Sequence, residues 1–314
     1  MSCWGRNDAG QLGNGTEDDS PLPVEVESVS NATAVAVGGS HACAVVEDGT
    51  VQCWGKNEDA QLGDGTEDNS SLPVEAERIS NATAVTAGTD HSCALLDDGT
   101  ISCWGRNASG ALGDGTARGS TVFAEVEGIS NAIAVTAGAG HTCALLDSGT
   151  ISCWGRDDGG QVSTDSPQPK TAHPSRSKPY PKLAVAGGLV HSCALLDDGS
   201  VVCWGNNGSG QLGNGDRLDS PRPVAVEGIS SATAIASSNA HTCALLEDDT
   251  VMCWGSNTDG QLGTETTNPH APLVTYLGQP RTGPGRGDLP RNGDRSRPGA
   301  FVRTARRRIR RLLG

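Results

Sequence analysis

Five copies of a His-x-Cys element are the residues of this chain best equipped for chemistry: His41 with Cys43, His91 with Cys93, His141 with Cys143, His191 with Cys193 and His241 with Cys243. Each is followed by one more cysteine, at Cys53, Cys103, Cys153, Cys203 and Cys253. A histidine and a cysteine two positions apart share one face of a strand. With the third sulfur they would offer three of the four ligands of a zinc site. Five separate zinc sites in one molecule would be odd, so metal is disfavoured. The two sulfurs of each unit could instead close a disulfide, or stay reduced as small buried hydrophobes. Catalysis is disfavoured by the multiplicity itself. A triad needs one nucleophile, one base and one orienter, whereas each of these histidines has four equivalents, and His173 and His270 sit in irregular stretches. The expectation is no catalytic, cofactor or metal site, with the histidines serving structure, most simply by fixing a hairpin.

The elements that must position these residues repeat with a fixed step. A Cys-Trp-Gly element recurs at Cys3, Cys53, Cys103, Cys153, Cys203 and Cys253, which places tryptophans at Trp4, Trp54, Trp104, Trp154, Trp204 and Trp254, a period of 50. A period of about 40–50 residues marks a propeller or a solenoid. Within one unit, His41 to Glu47 and Thr50 to Trp54 are apolar runs joined by Asp48-Gly49, a strong hairpin signal. Ala32 to Val37 is a third run. Pro23 to Val26 is a fourth, and its prolines suit an outer edge strand. The strand from His41 to Val46 hardly alternates in polarity, so both its faces should be buried. Four short strands per unit and no helical period predict an all-β chain, a β-propeller of four-stranded antiparallel blades with about five full blades and a partial one.

Turn geometry decides whether the cysteines meet. With a three-residue loop, Glu47-Asp48-Gly49, and Gly49 left-handed, Val46 faces Thr50 and Cys43 faces Cys53 within disulfide reach. With a loop of Asp48-Gly49 alone, Cys43 faces Trp54 and the sulfurs point apart. We take the first, which pairs Cys43–Cys53, Cys93–Cys103, Cys143–Cys153, Cys193–Cys203 and Cys243–Cys253 and leaves Cys3 over. Five such bridges would place the chain in an oxidising compartment, extracellular or in the cell envelope. Reduced thiols would fit the cytoplasm.

The runs His91-Ser92-Cys93-Ala94-Leu95-Leu96-Asp97-Asp98-Gly99, Cys103-Trp104-Gly105-Arg106-Asn107 and Leu112-Gly113, copied from His191 to Gly213, resemble the RCC1 (regulator of chromosome condensation) repeat. The extra cysteines resemble a cysteine-bearing bacterial branch of that family. The resemblance covers roughly residues 3–264. It implies a seven-bladed propeller whose loop rim binds a protein partner without catalysis. It also allows guanine-nucleotide exchange on a small GTPase, or a secreted inhibitor or lectin-like binder. Five hairpins and a half fall short of seven blades, and an open ring would be prone to self-association.

Charge and order along the chain add further expectations. Of 23 Lys/Arg and 37 Asp/Glu, residues 268–314 carry 11 Arg and 2 Asp, leaving 12 basic against 35 acidic residues in the remainder. So acidic a body would repel nucleic acid and anionic membranes. No membrane span is expected. The chain starts inside a repeat with no signal peptide, which reads as a fragment or a late-started gene model. Residues 1–267 form the repeat region, irregular at 162–182, where five prolines between Pro167 and Pro181 predict a missing or distorted outer strand. Residues 268–314, rich in Arg, Gly and Pro, read as a disordered tail or as an out-of-frame stretch. The glycine-rich loops such as Gly10 to Thr16 read as blade-to-blade connections.

Overall fold

The computed structural model describes residues 1–162, 170–176, 182–263 and 274–276. The chain opens with a two-stranded sheet, β1 (Ser2–Gly5) antiparallel to β2 (Ser20–Glu25). Five four-stranded antiparallel sheets follow, each wound in chain order. Blade I is β3 (Ala32–Val37), β4 (His41–Val46), β5 (Val51–Gly55) and β6 (Ser70–Glu75). Blade II is β7 (Ala82–Ala87), β8 (His91–Leu96), β9 (Ile101–Gly105) and β10 (Ser120–Glu125). Blade III is β11 (Ala132–Ala137), β12 (His141–Leu146), β13 (Ile151–Arg156) and β14 (Lys170–Arg176). Blade IV is β15 (Lys182–Gly187), β16 (His191–Leu196), β17 (Val201–Gly205) and β18 (Ser220–Ala225). Blade V is β19 (Ala232–Ser237), β20 (His241–Leu246), β21 (Val251–Gly255) and β22 (Val274–Tyr276). Among the described residues there is no helix. The chain is an all-β propeller of four-stranded blades.

The turn between the two central strands is the three-residue form. Gly49 has φ +83°, its N–H donates to the Val46 carbonyl at 2.9 Å, and the Val46 N–H donates to the Thr50 carbonyl at 3.0 Å. Only a residue at ease in the left-handed region closes such a loop without strain. In blade V, Asp249 takes the same position with φ 65°. The resulting register sets Val45 against Val51 and Cys43 against Cys53.

Blades are held to one another by what each passes to the next. Trp104 of blade II is fully buried among Val45, Val51, Leu62 and Ile79. Trp154 of blade III packs in the same way against Ile101, Leu112 and Ile129. Burying a large side chain of this kind contributes roughly 1.5–3 kcal/mol. Leu62 and Leu112 come from the glycine-rich loops. These loops are therefore not blade-to-blade connections: each joins the third and outer strands of a single sheet, such as β5 and β6, and tucks its leucine into the gap toward the next blade. Trp4, on the two-stranded first sheet, is 37% exposed.

The outer strand of blade III departs from the sequence reading. It is present as β14, and its register repeats that of its equivalents one residue later in the chain: Cys153 faces Ser175, where Cys53 faces Val74 and Cys203 faces Val224. Pro174 immediately precedes its cysteine's partner, as do Pro23, Pro73 and Pro223. At this point the ladder jumps, so no paired N–H is needed, and a proline is tolerated in a bulge on an edge strand. The other prolines of the stretch lie at 167, 169, 179 and 181, outside the described residues. The last paired strand, β22, lies beyond residue 267, and the rest of the Arg-rich tail is outside the described residues.

Candidate functional site

The repeated histidines sit at the seams between blades rather than within a hairpin. His41 Nε2 lies 2.9 Å from Ser92 Oγ of the next blade, His91 Nε2 2.9 Å from Thr142 Oγ1, His141 Nε2 3.0 Å from Ser192 Oγ and His191 Nε2 2.8 Å from Thr242 Oγ1. The expectation that these rings fix their own hairpins is therefore corrected: they bridge blades. Ser92 Oγ donates in turn to the Gln61 carbonyl at 2.8 Å, and Trp104 Nε1 donates to the same oxygen at 2.9 Å. The Ala111 carbonyl collects Thr142 and Trp154 likewise, and the Gln161 carbonyl collects Ser192 and Trp204.

This chain of bonds fixes the tautomer. For His41, His91 and His141 the partner's hydroxyl hydrogen is spent on the carbonyl, so the imidazole must donate from Nε2, and Nδ1 carries the bare lone pair. His41, His141 and His191 bury their Nδ1 without a partner. Burial holds these rings far below the ordinary imidazole value: His41, His141 and His191 to about 3 and His91 to about 4. They are neutral at any physiological pH and poorly suited to proton transfer there. A glycine lies beneath each of these four rings, Gly38, Gly88, Gly138 and Gly188, whereas Ser238 takes the place before His241. A Cβ on Gly138 would stand 2.1 Å from His141 Cε1 and 2.3 Å from the Gly188 carbonyl oxygen of the next blade.

The hydroxyl partners were not singled out from sequence, although a trace exists. The residue between His and Cys is Ser92, Thr142, Ser192 and Thr242, but Ala42 in blade I, whose preceding sheet contains no histidine.

The five cysteine pairs stand at disulfide distance, with Cα–Cα separations of 4.0–4.1 Å. That short spacing belongs to the non-hydrogen-bonded sites of an antiparallel ladder, to which the Val46–Thr50 bond assigns Cys43 and Cys53. Cys3 lies outside these pairs, opposite Val24. Among the described residues no three His, Cys, Asp or Glu side chains are grouped to hold a metal ion, and no helix is long and apolar enough to cross a membrane. The acidic tips of the glycine-rich loops brace their own loops, Asp19 Oδ1 accepting the Asn7 N–H at 2.6 Å.

Two rims remain. The hairpin rim carries the turns Glu47-Asp48-Gly49, Asp97-Asp98-Gly99, Asp147-Ser148-Gly149, Asp197-Asp198-Gly199 and Glu247-Asp248-Asp249. The middle residue braces its own turn. Asp48 Oδ1 accepts the Thr50 N–H at 3.0 Å and the Thr50 hydroxyl at 2.8 Å, and these bonds hold its carboxyl below the usual range. The opposite rim carries the turns that link the first two strands of each blade. They are stitched from blade to blade by backbone bonds: Gly39 N–H to the Gly88 carbonyl at 3.1 Å, Thr89 to Ala139 at 3.4 Å, Ala139 to Leu189 at 3.2 Å and Leu189 to Asn239 at 3.0 Å. Beside them stand the cations Arg6, Lys56, Arg106 and Arg156 at one repeat position.

The sequence pattern of the RCC1-like domain matches residues 1–284. No curated protein sequence matches the chain. Among solved structures, human WBSCR16 is similar at 20% identity and a TM-score of 0.73, over 87% of this chain and 77% of its own. Prp20p of Saccharomyces cerevisiae, described with its binding to Gsp1p and histones, is similar at 23% identity and a TM-score of 0.74, over 85% of this chain and 68% of its own. Yeast RCC1 (Prp20) in a structure with Kap60 is similar at 18% identity and a TM-score of 0.56, over 87% of this chain and 83% of that one.

Proposed function

The chain belongs to the RCC1-like domain family, and on that premise we propose that it is a non-catalytic protein-interaction module that grips a protein partner with the loops of its rim. One observation carries the reading. The repeated histidines and the ten paired cysteines that sequence marks as chemically capable are engaged at or within the blades, His141 with Ser192 and Cys143 with Cys153 for instance. What faces solvent is a broad rim of turns on rigid sheets, suited to the ~800 Å² per partner that a stable complex buries. The described binding of Prp20p to Gsp1p and histones is in keeping with such a use of the fold.

The five cysteine pairs support an oxidised protein, outside the cell or in its envelope. A thiol titration of the denatured, unreduced chain should then find one reactive sulfur, that of Cys3. Eleven would return the protein to the cytoplasm. For the binding reading, the purified chain should form a stoichiometric complex with a purified partner from its native host and turn over no substrate. Accelerated release of labelled GDP from a small GTPase would replace this reading with nucleotide exchange.

A further inference from the structure

We infer that the partner docks on the rim of inner turns, presenting a cationic side chain to Asp59 and Asp90 and an apolar one to Leu189 and Val190. The inference rests on the binding reading above and adds the rim and the chemistry.

The repeat itself separates the two rims. A residue kept at one position in every blade answers a demand that every blade makes. On the hairpin rim the acids do so: Asp98 and Asp248 cap the residue two ahead as Asp48 does, and Asn81 Nδ2 donates to Asp97 Oδ1 at 2.7 Å. On the other rim the turns read Gly39-Ser40, Thr89-Asp90, Ala139-Gly140, Leu189-Val190 and Asn239-Ala240. The backbone bonds that join these turns do not use the side chains, so apart from Gly39, where a Cβ would meet the Thr89 carbonyl oxygen at 2.8 Å, these positions are released to carry contacts to a partner.

Two features of this rim point to the partner's chemistry. The first is an ion network left open. Arg156 closes on its own Asp158 at 2.8–2.9 Å, and Arg6 on Asp8 likewise. In blade II the matching acid is replaced by Ala108. Arg106 reaches across instead to Asp59 and Asp90 at 3.9 and 3.8 Å, and Lys56 Nζ to the same two at 3.9 and 3.5 Å. These are ion-pair distances, not good hydrogen bonds. With Glu58 counted, three carboxylates stand against two cations, and Asp59 and Asp90 keep acceptor capacity for an incoming guanidinium or ammonium. Beneath them the Asp59 N–H donates to Gln61 Oε1 at 3.0 Å, while the buried Nε2 of Gln61 has no partner. Its equivalents donate to Asp8, Asp158 and Asn206. The second feature is apolar. Leu189 is 40% exposed at the turn two blades on, joined to the Asp90 turn through Ala139. The acidic body favours approach of a cationic partner.

The test uses the full chain, immobilised under oxidising conditions, and a displayed library of random short peptides. Enriched sequences should set Arg or Lys beside large apolar residues. In titrations with synthetic copies, Asp59→Asn, Asp90→Asn and Leu189→Ser should each weaken binding about tenfold, and Asp98→Asn and Asp198→Asn on the opposite rim by less than about twofold. Thermal melts check that each variant folds. Because Asp59 and Asp90 lie on different blades, one poorly folded variant leaves the other to decide. Peptides that follow the hairpin-rim variants, or that are acidic, would overturn the inference and leave the binding reading standing. Absence of any enriched peptide would count against both.

Discussion

On the hairpin rim, five turns carry nearly the same three residues; on the opposite rim, five turns carry five different pairs. The difference shows which parts of the repeat are structural. At the seams and on the hairpin rim, each residue type is tied to a bond that every blade must make: histidine to the next blade's hydroxyl, tryptophan to the preceding loop carbonyl, aspartate to its own turn. Where backbone alone makes the bonds, as between Thr89 and Ala139, side chains are released from that constraint. Substitutions at repeated positions should therefore cost stability, and substitutions on the inner turns should cost binding.

Acid should have the largest effect, because it acts on every seam together. The folded-state values of His41, His91, His141 and His191 lie at about 3 to 4, against an unfolded value of 6.5. The unfolded chain therefore binds more protons below pH 6.5. Stability is fully present above that pH and is lost as pH falls toward 4, each histidine contributing a slope of up to about 1.4 kcal/mol per pH unit. Urea midpoints measured from pH 8 to pH 4 should be level at first and then drop steeply. A flat profile would mean that the seams do not hold neutral histidines.

Next comes Trp104→Ala, which empties a fully buried site and removes the bond to the Gln61 carbonyl; a loss of about 3–5 kcal/mol is expected. Trp4→Ala, on the partly exposed first sheet, should cost clearly less in the same denaturation series, and equal losses would erase the distinction between seam and edge. Gly138→Ala follows, at about 1–3 kcal/mol for forcing a methyl against His141 and the Gly188 carbonyl, read as a lowered melting temperature. The smallest effect sharpens the comparison from the other side. Asp249→Gly should stabilise by roughly 0.5–1 kcal/mol, because aspartate there holds a left-handed conformation that glycine adopts without strain.

What was legible in the sequence was local. Asp48-Gly49 fixes its turn within three residues, and from it follow the register and the meeting of Cys43 with Cys53. The fifty-residue step gave the blades. The seam was not legible, because His41 and Ser92 are 51 positions apart and meet only once two blades have stacked. The single trace, Ala42 where later units have serine or threonine, gains meaning only after that contact is seen. The outer strand of blade III escapes a sequence reading for a related reason. Counting its prolines argues against a strand, whereas their effect depends on register, and Pro174 falls where the ladder already breaks. The open ion network was also out of reach, since Lys56, Asp59, Asp90 and Arg106 come from three different turns and loops.

Amide hydrogen exchange of the chain, with and without a saturating peptide from the selection, tests the division of labour between the rims most directly. Slowed exchange on binding is predicted at the turns of 39–40, 89–90, 139–140 and 189–190 and in the loop at 56–59, with the hairpin turns at 47–49, 97–99 and 197–199 unchanged. Protection confined to the hairpin turns would contradict the account.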